Sequence, residues 1–131
     1  MGTMRLEERN GLFFAKCVLH ATPDMEIWGL VDSGSVVTFL TSSVCERAGL
    51  KYKGKQPGIV CSHGKSHRDI KIDTYRSVIT LGGITVKCTS LAYNGRLGAG
   101  GIRADAILGH NVLCHFDGSL GWKGRTGTLE W

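Results

Sequence analysis

No apolar run in this chain approaches the roughly 20 residues needed to span a bilayer, and no basic-then-apolar leader opens it, so neither membrane anchoring nor export is expected. Proline is scarce, 2 residues against 19 glycines in 131, which points to one soluble domain with many glycine turns and excludes a multidomain enzyme. The cysteines Cys17, Cys45, Cys61, Cys88 and Cys114 are odd in number and scattered. That argues against a disulfide framework and for an intracellular, reducing compartment. Acidic residues are the minority sign, 11 against 16 basic for a net +5. The densest basic stretch, Lys51-Tyr52-Lys53-Gly54-Lys55 followed by Lys65, His67 and Arg68, lacks the alternation with aromatics that a nucleic-acid platform requires. It reads as a solvated loop, and no nucleic-acid partner is expected.

What is present is a succession of short apolar runs. Leu12 to Leu19 and Met25 to Val31 flank the turn formers His20-Ala21-Thr22-Pro23-Asp24 and predict strand, turn, strand. Val36 to Leu40 resume after Asp32-Ser33-Gly34-Ser35, and Ser43-Val44-Cys45-Glu46 has the spacing of a helix-opening capping box, with Gly49 as the stop. Ile59-Val60-Cys61 and Ile70-Lys71-Ile72 predict a hairpin with Gly64 at its tip. Tyr75 to Leu81 and Ile84 to Leu91 are joined by Gly82-Gly83, and Ile84, Val86 and Cys88 alternate with Thr85, Lys87 and Thr89, the period of a strand with one buried face. The glycines Gly95, Gly98, Gly100 and Gly101 lack a following Gly-Lys-Ser/Thr, so Asn94 to Gly101 reads as a mobile surface loop rather than a phosphate cradle. A short helix around Asn111 to His115 and a closing hairpin turned at Lys123 to Gly127 complete an all-β architecture with one or two short helices. Residues 1–10 are taken as an N-terminal extension whose first residues are a candidate cloning remnant, and 11–131 as the domain.

Chemistry concentrates at Leu30-Val31-Asp32-Ser33-Gly34-Ser35. An acid directly after a buried strand and before a hydroxyl-rich turn is held against apolar packing, within reach of hydroxyls and the Gly34 amide. Alone, Asp-Ser-Gly is usually a turn. A second element makes it specific: Ile107-Leu108-Gly109, followed by an amphipathic turn, lies about 75 to 80 positions further on.

The pairing closely resembles the retropepsin-like aspartic proteases, a family that includes retroviral, retrotransposon and Ddi-type members, over essentially the whole length from Leu12 to Trp131. The resemblance implies a retropepsin-like acid protease barrel with half an active site per chain. Asp32 would be the catalytic carboxylate. Ser33 would lock the two active-site loops across a dimer, Gly34 would admit the substrate backbone, and Ser35 would hydrogen-bond the outer carboxylate oxygen. Ile107, Leu108 and Gly109 would support the loop from beneath, and the tip His63, Gly64 and Lys65 would be the flap. Retroviral members often pair an acid four residues after the catalytic Asp with an arginine after the later glycine. Here those positions hold Val36 and His110, so that bridge is absent and the sequence looks closer to cellular or retroelement relatives.

Hydrolysis by this route needs two carboxylates sharing one proton, because like charges about 3 Å apart cannot both ionise cheaply. This chain supplies one acid in that setting; Asp24, Asp69, Asp73, Asp105 and Asp117 lack its flanks. A homodimer is therefore expected, with Leu6, Leu129 and Trp131 as candidates for shared terminal strands or for ordinary core edges. The expected substrate is a peptide or polyprotein segment bound in extended form, hydrolysed without a cofactor and preferentially at acidic pH. The chain itself could be part of a larger polyprotein. Cys61-Ser62-His63 with His67, and Cys114-His115 with His110, contain ligand-type residues but no Cys-x-x-Cys knuckle, so no metal is expected, and Cys17, Cys45, Cys61 and Cys88 read as small buried hydrophobes. The alternative function is a catalytically inactive retropepsin-like module kept for dimerisation or peptide binding.

Overall fold

Alternation along β3 (Leu12–Leu19) sends Phe13, Ala15, Cys17 and Leu19 into one core and Leu12 and Phe14 to the opposite face. The neighbouring β4 (Met25–Val31) does the same, with Met25, Ile27 and Val31 facing the main core and Trp28 and Leu30 the other side. Both faces of these strands are covered, which is why each reads as a nearly continuous apolar run. The computed structural model describes residues 1–57, 71–95, 97–99 and 102–131. The expected hairpin around Gly64, with His63, Gly64 and Lys65 at its tip, lies outside them, as do Cys61, His67 and Asp69.

The remaining elements are β1 (Thr3–Arg5), β2 (Glu7–Arg9), β5 (Thr38–Thr41), α1 (Ser42–Ala48), β6 (Lys51–Pro57), β7 (Lys71–Leu81), β8 (Ile84–Tyr93), β9 (Leu97–Ala99), β10 (Ile102–Ala104), β11 (Ala106–Leu108), α2 (His110–Leu113), β12 (Asp117–Gly121) and β13 (Thr126–Glu130). An eight-stranded sheet in the order β2-β3-β4-β11-β5-β8-β7-β6 curls until β3 also pairs with β7, Val18 opposite Thr80 and Leu19 opposite Ile79. That closure encloses the main core of Leu19, Ile27, Leu40, Ile79, Leu81 and Leu108, all essentially inaccessible to water. Over the described residues the fold is all-β with two short helices, as expected.

Several expectations are corrected in detail. Residues 1–10 are not an appendage: β1 pairs antiparallel with β13, β2 with β3, and Leu6 between them is buried in the main core. Leu129 is buried there too, and the Trp131 ring meets Phe116 edge-on at 6.1 Å. The helix α1 is capped by Thr41, whose hydroxyl accepts from the Val44 amide at 3.3 Å, rather than by a box starting at Ser43. Its end at Gly49 is as expected: the residue is left-handed at φ 62°, a conformation glycine adopts without strain, and its amide reaches the Cys45 and Glu46 carbonyls. The glycine-rich segment is not a loop throughout. Leu97–Ala99 pairs with Ile102–Ala104, and Leu97 and Ala104 are buried against Phe14.

Candidate active site

Strands β4 and β5 are consecutive in sequence but not neighbours in the sheet. β11 lies between them, parallel to β4 (Ile107 opposite Leu30, Leu108 opposite Val31) and antiparallel to β5 (Ile107 opposite Phe39). The segment 32–37 must therefore cross over the end of β11, and Asp32 is its first residue. Val36 and Val37 belong to this crossing, and the apolar run from Val36 to Leu40 enters a strand only at Thr38.

The crossing is held by backbone. The Asp32 amide donates to the Leu108 carbonyl at 3.1 Å, the His110 amide to the Ser35 carbonyl at 2.7 Å, and the Asn111 amide to the Val36 carbonyl at 3.2 Å. The Ser35 amide closes a turn on the Asp32 carbonyl at 3.1 Å. Within that turn the Gly34 amide donates to Asp32 Oδ1 at 3.0 Å, fixing the carboxylate from one side. Asp32 is half-buried while Ser33 and Gly34 are exposed, so the acid rests on packed strands and opens toward solvent. The Ser35 hydroxyl donates to the Val37 carbonyl at 2.7 Å rather than to the carboxylate. Val36 is 75% exposed.

Gly109 is required by close approach. A Cβ there would sit 2.1 Å from the Val37 carbonyl oxygen and 2.4 Å from its carbon, which are rigid backbone atoms. A buried residue absent from the sequence reading completes the arrangement. Thr38 Oγ1 accepts from the Gly109 amide at 3.0 Å and donates to Asn111 Oδ1 at 2.7 Å, and Asn111 Nδ2 reaches the Thr89 carbonyl at 3.3 Å. A hydroxyl at the start of one strand facing an asparagine just after the later glycine was the available signal.

The second face of the sheet carries an apolar cluster on the strands that flank the crossing: Leu30, Phe39 and Ile107 are half-buried and cluster with Phe14, Leu97 and Ala104. Asp105 is committed elsewhere, its Oδ2 accepting the Trp28 amide at 3.1 Å. Asp24 accepts the Ala21 amide at 2.9 Å, and Asp73 is bonded by Lys55 at 2.8 Å, which holds its carboxyl below the usual range. Among the described residues no group of three His, Cys, Asp or Glu gathers as a metal cage, and no helix is long and apolar enough to cross a membrane. Cys17 and Cys45 are buried and Cys88 half-buried, whereas Cys114 is exposed. Burial, with a smaller push from the Asp105 charge, raises the Cys17 thiol to about 12; burial raises Cys45 to about 11.

The curled sheet, the strand inserted between β4 and β5 and the Asp-bearing crossing define a retropepsin-like fold. Among solved structures the chain is similar to a retropepsin-like aspartic protease from Rickettsia conorii, with a TM-score of 0.65 and 18% identity, covering 98% of this chain and 89% of that one. It is also similar to the retroviral protease-like domain of Ddi1 from Leishmania major, with a TM-score of 0.53 and 13% identity, covering 91% and 92%. No protein-family model and no curated protein matches the sequence. At such identities the likeness concerns the fold.

Proposed function

We propose that the chain is an aspartic endopeptidase in which Asp32 and its mate from a second copy activate water against a peptide carbonyl. The observation that carries this reading is the crossing at Asp32. One half-buried carboxylate is anchored by its own backbone to Leu108 and oriented by the Gly34 amide, within a retropepsin-like architecture. A pure scaffold has no need for an acid in that setting.

In the dimer the two carboxylates share a proton; the ionised one draws a proton from water as the other donates to the carbonyl oxygen, giving a tetrahedral diol that collapses to acid and amine. Exposed Ser33 is available to bond the neighbouring loop. Leu30, Phe39 and Ile107 would offer apolar contact to substrate side chains, and an extended peptide suits that face because alternate side chains fall to one side. His63, Gly64 and Lys65 are proposed as the covering flap.

The test is digestion of an unstructured protein at about pH 4 to 6 by the wild type and by Asp32→Asn, with and without pepstatin, beside the solution mass of each. Cleavage that requires Asp32, is blocked by the inhibitor and accompanies a dimer supports the proposal. A strict monomer, or cleavage unchanged in Asp32→Asn, overturns it. A folded dimer that cleaves nothing favours the inactive binding module.

A further inference from the structure

The basic stretch at Lys51 to Lys55 is divided by the sheet into two faces with different fates. On one, Lys55 bonds Asp73 at 2.8 Å, the Tyr52 hydroxyl donates to the same carboxylate at 3.1 Å, and the Tyr52 and Tyr75 rings meet edge-on at 5.6 Å. That face is internally neutralised. On the other, Lys51 stands directly opposite Arg76 in the β6–β7 ladder. Arg76 in turn faces Thr89 on β8, and two residues along β7, Val78 faces Lys87.

Three exposed cations thus occupy neighbouring positions on three adjacent strands. Like charges directly opposite one another destabilise a sheet, yet no described carboxylate lies within ion-pair distance of Lys51, Arg76 or Lys87. Glu26 on the same curled sheet is already held by Lys16 at 2.9 Å. Beside the cations runs an open groove of about 450 Å³, lined among others by His20, Leu50, Lys51, Arg76 and Val78.

We propose that this face is a docking site for an acidic polypeptide segment, bound in extended form along β6. Charge complementarity asks for an anion, and two observations select a polypeptide. β6 ends the sheet order, so its outer edge has no ladder partner among the described strands and offers backbone N–H and C=O groups to an added strand. The aromatic rings within the basic stretch and opposite it, Tyr52 and Tyr75, are turned to the other face and engaged with each other, and the exposed Tyr93 on β8 lies four residues beyond the position facing Arg76, so aromatics do not interleave with the cations as a stacking platform requires. None of these residues belongs to the Asp32 crossing, so the site stands whether or not Asp32 hydrolyses peptides.

The test is fluorescence anisotropy of the full chain with a labelled peptide of alternating Glu and Val, a Lys and Val counterpart, and a labelled oligothymidylate, at about 50 mM and about 300 mM salt. The acidic peptide is expected to bind saturably, roughly tenfold more weakly at the higher salt and in Lys51→Glu/Arg76→Glu. Lys123→Glu, in the β12–β13 turn, should bind unchanged. If circular dichroism shows the double charge reversal to be unfolded, Lys51→Gln/Arg76→Gln replaces it, with a loss of several-fold expected. The proposal is overturned by absence of saturable binding, which would make the lysines guards of an open edge only. It is equally overturned by equal binding of the Lys peptide, by affinity indifferent to the substitutions at Lys51 and Arg76, or by tighter binding of the oligothymidylate.

Discussion

Replacing Thr38 with valine tests whether the Asp32 crossing is held by polar contacts or by packing alone. Thr38 is fully buried, and its hydroxyl accepts from the Gly109 amide and donates to Asn111 Oδ1. Valine fills the same volume, so no cavity term arises. The buried Gly109 amide is left without its acceptor, at a cost of about 1 to 3 kcal/mol, and the half-buried Asn111 oxygen loses a donor worth about 1 kcal/mol. Thr38→Val should therefore destabilise by about 2 to 4 kcal/mol. Thr38→Ser keeps both bonds and gives up one methyl, costing about 1 kcal/mol. Packing alone would order the two variants the other way. The assay is urea unfolding at fixed protein concentration, followed by tryptophan fluorescence, with equal slopes required before midpoints are compared. A valine variant as stable as the serine variant would refute the argument. If the crossing also carries the active carboxylate, the valine variant should lose cleavage beyond its loss of folded protein.

Gly109→Ala places a Cβ against the Val37 backbone, whereas Gly29→Ala meets only the Leu108 side chain at 2.7 Å. The first should cost more than about 3 kcal/mol and the second about 1 to 3; thermal midpoints in the reverse order would contradict the geometry. Alkylation at about pH 8 should modify Cys114 within the native protein, while Cys17 and Cys45, buried and held protonated, react only on unfolding; native labelling of Cys17 would count against the packing described. The raised Cys17 thiol contributes stability that is complete below the unfolded value of 9.0 and is lost as pH rises toward about 12. The unfolding free energy should thus fall between about pH 9 and 11 by roughly 2 kcal/mol more in wild type than in Cys17→Ala, and an equal pH dependence in the two would dismiss the effect.

The strands most legible in the sequence were those whose neighbours on both sides are apolar. Leu12–Leu19 and Met25–Val31 begin and end where their hydrophobic runs do, because one face packs the main core and the other the Phe14 cluster. Gly49 was legible as a stop because a left-handed residue is a local requirement. β1 and β2 were not, since Thr3–Arg5 and Glu7–Arg9 carry polar residues and exist as strands only through pairing with β13 and β3. The same holds for Leu97, one apolar residue among glycines, whose burial depends on Phe14 far away in the chain. The helix cap moved from Ser43 to Thr41 because β5 runs directly into α1, leaving its last residue to satisfy the first amides.

The candidate site shows the same limit more sharply. Asp-Ser-Gly and Ile-Leu-Gly were visible as two motifs, yet neither says why they should meet. The reason lies in strand order. Adjacent strands are about 4.8 Å apart, so β4 and β5, with β11 between them, are separated by nearly 10 Å, too far for a two-residue hairpin. The connection 32–37 has to pass over the end of β11, and its own amides and carbonyls, no longer in a ladder, must find partners there. Leu108, His110 and Asn111 supply them, Thr38 takes the Gly109 amide, and only glycine at 109 lets the two backbones approach so closely. Given that crossing, the first residue after β4 is a place where a side chain is anchored through its backbone and half-open to solvent. On the function proposed above, an acid there would meet its counterpart from a second copy, and the inserted strand, more than the tripeptide, is what sets Asp32 apart from the other described aspartates.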